Sequence, residues 1–288
     1  MRRNSGTRNV RLWKSSADCL IEPDAYDPGL SGVAVDMHLQ FDARTPEGDN
    51  FVGRLFLDDM EFAGLGLKEI AVGRAATRFL EPTRAPAEGI CGLASQEISV
   101  LDQAGFFYAL LFDNMLDAPI FAFALSRSGY SELSIGGTNP TLFRDLAFVH
   151  LDAEEGFFFI EGSFVLPRQL LPFEFLLDTT SRVIRGSLGN ANVLFTSLGL
   201  QTRRIGSNLF ALFPCTQPPL VRLQFEQKIV KIIPEALSLG TRDSESCILS
   251  IVGSPIDAEY FILGTPFFES AYVAFQVQDE FVAIGDRV

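Results

Sequence analysis

Imidazole is almost absent from this 288-residue chain, whose only histidines are His38 and His150. Both fall in strand-like alternation, where a surface position is the default. No serine or cysteine pattern accompanies either, so a Ser-His-Asp or Cys-His mechanism has little to work with. Cysteine is sparse too. Cys19, Cys91, Cys215 and Cys247 form no C-x-x-C pair, which disfavours zinc, and no metal or other cofactor is expected. Basic charge is short: 23 Lys and Arg face 36 Asp and Glu, for a formal charge of -13 and a pI near 4.6. Such a surface cannot neutralise phosphates, so no nucleic-acid partner is expected. No apolar run approaches the roughly 18 residues that span a bilayer, and no membrane span is expected. Met1–Lys14 carries Arg2, Arg3, Arg8, Arg11 and Lys14 without an apolar stretch, so it does not read as a signal peptide.

Trp occurs once and Phe 27 times, in a chain that is 47% hydrophobic and 20% charged. So much Phe suits core filling in a β-rich protein; a cleft for apolar peptide side chains is the alternative. The size suits two domains or one large one. Strand signals dominate. Val35, Met37, Leu39 and Phe41 alternate with polar residues over 35–42. Val221, Leu223 and Phe225 do so over 221–226, and Val273, Phe275 and Val277 over 273–278. Period two with one apolar face predicts half-buried antiparallel strands. Gln278-Asp279-Glu280 turns the chain into a closing strand at 281–284. A helix is predicted over about 187–198, with Ser187 as N-cap and Gly199 beyond its end, and a second over about 106–116. The stretch 150–175, with Gly156, Gly162, Pro167 and Pro172, reads as loop-rich and divides 1–155 from 156–288. A faint repeat links Glu88-Gly-Ile-Cys-Gly-Leu-Ala94 to Tyr260-Phe-Ile-Leu-Gly264. Each is an apolar strand end closed by a glycine, which permits close backbone approach.

The most informative segment is Phe175-Leu-Leu-Asp-Thr-Thr-Ser-Arg-Val-Ile-Arg-Gly186. An apolar strand delivers Asp178 to a turn of hydroxyls. A carboxylate there is costly unless donors hold it, and Thr179, Thr180 and Ser181 are the candidate donors. A held carboxylate works as an acid or base, or is simply a satisfied strand end. The segment resembles the second active-site loop of the pepsin-like aspartic peptidases, whose pattern is apolar-apolar-Asp-Thr-Gly-Thr/Ser-Ser. Other elements of that family follow in order. Leu12-Trp13 with Ser15-Ser16 resembles Leu-Trp-Val-Pro-Ser, and 41–65 resembles the flap hairpin with its next strand. Gly89–Ala94 resembles Gly-Ile-Leu-Gly-Leu-Ala. Phe112-Asp113-Asn114 through Gly136-Gly137, and Phe261-Ile262-Leu263-Gly264, match later segments.

The resemblance implies a mainly β, bilobal, pepsin-like acid-protease fold: two β-barrel-like lobes with a cleft between them. Residues 1–155 are the N-terminal lobe and 156–288 the C-terminal lobe. It implies a disulfide between Cys215 and Cys247, leaving Cys91 a buried thiol and Cys19 without a partner. It assigns Asp178 as a catalytic carboxylate supported by Thr179 and Ser181, and Phe41 and Asp42 as flap residues that bind substrate. It implies a monomer with a polypeptide substrate or peptide ligand, secreted or vacuolar by family.

The departures carry the functional expectation. Counting back from Trp13 puts the first catalytic Asp at position 6, which is Gly6. Arg8 stands for a pattern Gly, Phe41 for the flap Tyr, Asp42 for the next Gly, and Thr180 for the second-loop Gly. Asp18, Asp36 and Asp42 read as solvated and not as replacements. The N-terminal lobe is expected to lack its first strands, with 1–10 unordered. The chain is thus expected to be a truncated or degenerate aspartic endopeptidase homologue that is inactive, or else a non-catalytic peptide- or inhibitor-binding protein.

Overall fold

The computed structural model describes residues 9–13, 19–21, 26–44, 50–76, 87–152, 156–243 and 245–288. The chain divides into two compact units: Met1–Asp117 with Glu155–Phe157, and Ala118–Glu154 with Phe158–Val288.

The first unit contains β1 (Asn9–Trp13), β2 (Cys19–Ile21), β3 (Val35–Arg44), β4 (Asn50–Phe62), β5 (Leu65–Ala75) and β6 (Ala87–Gly92). They form a six-stranded sheet in the order β1-β6-β2-β5-β4-β3. The β4–β5 hairpin turns at Ala63-Gly64, both at positive φ, as a tight two-residue connection requires. Leu20, Phe41, Ala43, Leu55, Ala71, Ile90 and Leu101 pack as one core. Helix α1 (Phe106–Phe112) buries Phe106, Phe107 and Leu110. It ends earlier than expected, and Asp113–Asn114 turn out of it.

The strand expected at 35–42 lies within β3, but not as a half-buried strand. Phe41 is buried, whereas Val35, Met37 and Leu39 are 54%, 37% and 55% exposed. The reason is local. His38 sits at φ 56°, and the β3–β4 register shifts between Asp36 and Gln40. Such a bulge breaks the two-residue alternation, so one apolar row cannot stay on one face. Residues 1–8 lie outside the described residues, while Asn9 and Val10 belong to β1.

The second unit contains β7 (Ile120–Ala124), β8 (Glu132–Ile135), β9 (Phe143–His150), β10 (Phe159–Val165), β11 (Leu170–Leu177) and β12 (Ile184–Ser187). Helix α2 (Leu188–Ser197) follows, then β13 (Gln201–Ile205), β14 (Asn208–Pro214), β15 (Arg222–Phe225), β16 (Lys228–Lys231), β17 (Ser238–Thr241) and β18 (Ser246–Ser254). The chain closes with β19 (Phe261–Leu263), α3 (Thr265–Phe268), β20 (Ala271–Gln276) and β21 (Phe281–Arg287). One sheet runs β13-β14-β18-β12-β19-β11-β10-β15-β16, with β17 paired to β18; another runs β8-β7-β20-β21-β9. The fold is mainly β, as expected. Among the described residues, however, each sheet path is open, and none closes into a barrel.

Around 221–226 the expected alternation holds: Val221, Leu223 and Phe225 are buried, and Arg222 and Gln224 less so. Over 273–278 it does not. All six residues of β20 are buried, because β7 and β21 flank it and both faces carry core. Tyr272 and Ala274 pack with Ala122, Ala124 and Ala283 on one face. Phe275 stacks on Phe121 with ring centroids 4.9 Å apart. The stretch expected to be loop-rich is mostly the β10–β11 hairpin. Helix α2 is as expected: the Ser187 hydroxyl accepts the Asn190 N–H, and Gly199 takes φ 68° past its end.

Cys215 is bonded to Cys247, as expected, tying the end of β14 to β18. Cys19 and Cys91 are also bonded, which corrects the expectation of a thiol at Cys91 and no partner for Cys19. The two residues are directly opposed on antiparallel β2 and β6, a register that sequence spacing does not reveal.

Candidate active site

Asp178 stands at the end of β11, whose last three residues, Phe175, Leu176 and Leu177, are buried. These run parallel to Phe261, Ile262 and Leu263 of β19. The Asp178 N–H continues the ladder, donating to the Leu263 carbonyl at 3.1 Å. The chain then loops over the end of β19 and returns as β12, antiparallel to β19 at Arg185–Ile262. Strand β19 is thereby held between the strands that enter and leave the Asp178 loop.

The Asp178 side chain is fully buried. Its Oδ1 accepts the Thr180 N–H at 2.8 Å and the Thr180 hydroxyl at 2.6 Å. Ser181, also buried, braces the turn by donating its hydroxyl to the Val183 carbonyl at 2.8 Å. The Ser181 carbonyl accepts both the N–H and the hydroxyl of Thr265, each at 2.8 Å. Gly264 makes this crossing possible. The Ser181 and Val183 carbonyl oxygens occupy the place a Cβ would take. Gly186 lets the Phe261 ring lie against β12 for the same reason. Of the supporting residues, the structure joins Thr180 to the carboxylate through its side chain and makes Ser181 part of the scaffold. Thr180 is thus one of the three expected donors, although it departs from the family pattern. Thr265 had not been singled out, and no local sequence signal marks it.

The first unit repeats this scaffold. β1 is parallel to β6, β6 antiparallel to β2, β2 parallel to β5, and β5-β4-β3 continue antiparallel. In the second unit β11, β19, β12, β18, β14 and β13 follow the same order with the same directions. The faint repeat at 88–94 and 260–264 is thus two copies of one topology. Equating Gly92 with Gly264 sets Trp13, the register partner of Gly92, at the place of Asp178. The chain between β1 and β2, residues 14–18, is the counterpart of the Asp178 loop. It lies outside the described residues, as do Asp18 and Gly6.

Phe41 is a core residue of the first unit. A Cβ on Gly53 would come within 2.5 Å of its ring, and one on Gly73 within 2.9 Å. Asp42, its neighbour on β3, is exposed. His38 and His150 are exposed on their strands. Among the described residues no cluster of His, Cys, Asp and Glu could hold a metal ion, and no helix is long and apolar enough to cross a membrane.

Comparison with known proteins follows the same lines. The chain is 27% identical to "Secreted aspartyl protease 1" of Malassezia globosa, over 91% of this chain and 66% of that protein. It is 22% identical to "Aspartic protease" of Phaffia rhodozyma, over 84% of this chain and 62% of that protein. It is 23% identical to "Cathepsin D" of Dictyostelium discoideum, over 98% and 78%. The chain therefore spans a little under two thirds of the first two relatives. The profile described as "Eukaryotic aspartyl protease" matches residues 9–286, nearly the whole chain, and the chain belongs to that family.

Proposed function

We propose that this chain is an aspartic endopeptidase homologue that binds peptides and does not hydrolyse them. The observation that carries this reading is the fate of the first carboxylate. Counting back from Trp13 leads to Gly6, whereas the sheet register puts Trp13 itself at that place; the two registers exclude each other, and neither supplies an acid as the counterpart of Asp178. Peptide hydrolysis of the family's kind needs one carboxylate to take the proton of a water while a second polarises the scissile carbonyl. Asp178 can fill one of these roles at a time. Thr179 and Ser181 support it in this reading, and Phe41 and Asp42 belong to the flap hairpin.

The binding reading is favoured by Thr180, which ties the carboxylate to its own loop through two bonds. The two disulfides fit synthesis in an oxidising compartment, and the chain is a monomer in this proposal. Purified chain and its Asp178→Ala variant are incubated with haemoglobin or casein between pH 3 and pH 6. The expected result is no pepstatin-sensitive hydrolysis by either. Binding of a pepstatin-like peptide by the parent chain, weakened in the variant, supports the binding role. Pepstatin-sensitive turnover lost on Asp178→Ala would show that a second carboxylate operates and would overturn the proposal.

A further inference from the structure

We propose that Thr180 is a positioning residue that fixes the Asp178 carboxylate through its hydroxyl. The inference rests on reading Asp178 as the retained carboxylate of the site. Asp178 is fully buried, and a carboxylate so placed depends on the donors around it. Thr180 gives Oδ1 two of them, an N–H at 2.8 Å and an O–H at 2.6 Å. A glycine, which the family pattern carries here, offers only the first. The second is the short hydroxyl-to-carboxylate kind, among the stronger hydrogen bonds available to a side chain.

The backbone around it is fixed independently. The Ser181 carbonyl is held by Thr265, and the Ser181 hydroxyl by the Val183 carbonyl. The loop does not need Thr180 to keep its path, so the hydroxyl is free to act on the carboxylate's orientation. The ionisable residues of the flanking segments are engaged elsewhere or face solvent. Arg185 donates to the Ser254 hydroxyl at 3.1 Å, and Arg182 and Glu174 are exposed. β19 and α3 carry no ionisable side chain. A residue unlike the family pattern has thus become a clamp on the one carboxylate the pattern retains.

The test is a double-mutant cycle on the full chain with its disulfides intact. Thr180→Val and Asp178→Ala are made singly and together, with Thr180→Ser as the conservative variant, and each is unfolded in urea. Thr180→Val removes the hydroxyl and keeps the shape. It is expected to lower the folding equilibrium constant about tenfold or more when Asp178 is present. In the Asp178→Ala background the same change should cost less than about threefold, because the hydroxyl no longer has a charged acceptor. Thr180→Ser should stay close to the parent.

Equal costs in both backgrounds, or a Thr180→Ser variant as impaired as Thr180→Val, would overturn the proposal and leave Thr180 a packing residue. If Asp178→Ala does not fold, hydrogen exchange at the residue-180 amide decides. Exchange at least about tenfold faster in Thr180→Val than in Thr180→Ser supports the clamp, and equal rates reject it. Hydrolysis with the coupling intact would remove the proposed function and leave the clamp. No hydrolysis with no coupling would do the reverse.

Discussion

Gly264→Ala should be one of the most damaging single-methyl changes this chain can suffer. Gly264 has φ -92°, open to any residue, so the constraint is space and not backbone conformation. A methyl group there meets two backbone carbonyls, those of Ser181 and Val183, and neither can rotate away as a side chain could. Forcing atoms into so tight a crossing costs about 1–3 kcal/mol. The displaced Ser181 carbonyl also weakens two bonds from Thr265, each worth about 0.5–1.5 kcal/mol. The sum is about 4 kcal/mol, or a fall of roughly 10 °C in the thermal midpoint for a unit of this size. Gly189→Ala is the matched control. It lies in α2 with nothing within 4 Å of the added methyl, and should gain about 0.5–1 kcal/mol by helix propensity. Calorimetry reads the midpoints, and hydrogen exchange over 178–187 and 261–268 locates the damage. A Gly264→Ala variant within about 1 kcal/mol of the parent would refute the crossing as described.

Phe41→Tyr, a change to the residue that the family pattern carries, should cost about 1–3 kcal/mol in urea denaturation, because it drives a hydroxyl into the packing against Gly53 and Gly73. Unchanged stability would mean that the end of the ring reaches water. Cys215→Ser should cost about 4 kcal/mol by chain entropy for a bridge spanning 32 residues, measured by denaturant midpoint in oxidising buffer. At the other bridge, Cys19→Ile combined with Cys91→Leu should be better tolerated than serine at both positions, read as the thermal midpoint in oxidising buffer with the Cys215–Cys247 bridge intact. Equal instability of the two double variants would reject the apolar equivalence of those positions. Glu132 is held below its ordinary value of 4.5, first by the Ser134 hydroxyl and then by Asn139 and Tyr130, with burial opposing. A depressed folded value gives stability that is complete above about 4.5 and lost as pH falls through the folded value. Glu132→Gln should therefore flatten the acid limb of the stability profile, and an unchanged limb would assign it to other carboxylates.

What the sequence made legible was local. Asp178 at the end of three apolar residues, Ser187 and Gly199 bounding α2, and the alternation at 221–225 all rest on short-range chemistry, and the structure places them accordingly. What escaped depends on partners distant in the chain. The alternation in 273–278 could not show that core packs on both faces of β20, so Ala274 and Gln276 read as solvent-facing. In 35–42 the bulge at His38 has no residue signature, because a positive φ at histidine is a choice the surrounding sheet makes. Cys19 and Cys91 were unreadable for the same reason. Their pairing follows from β2 lying against β6, and nothing near either cysteine encodes that.

The repeat explains how one scaffold accommodates different residues in its two copies. Each copy of the scaffold needs an apolar strand closed by a glycine, Ile90-Cys91-Gly92 in one and Ile262-Leu263-Gly264 in the other. It also needs flanking strands on either side, one parallel and one antiparallel. Register then equates Cys19 with Ile184 and Cys91 with Leu263, so a bridge in the first unit stands where the second has a fully buried apolar pair. Either solution holds the crossing together. The carboxylate is a separate matter. Burying it is a cost that only its donors offset, and a scaffold relieved of it loses nothing in sheet pairing or core. The topology of either copy therefore does not depend on its carrying an acid. In the second copy Thr180 replaces the glycine of the pattern and adds a bond to Oδ1 of Asp178.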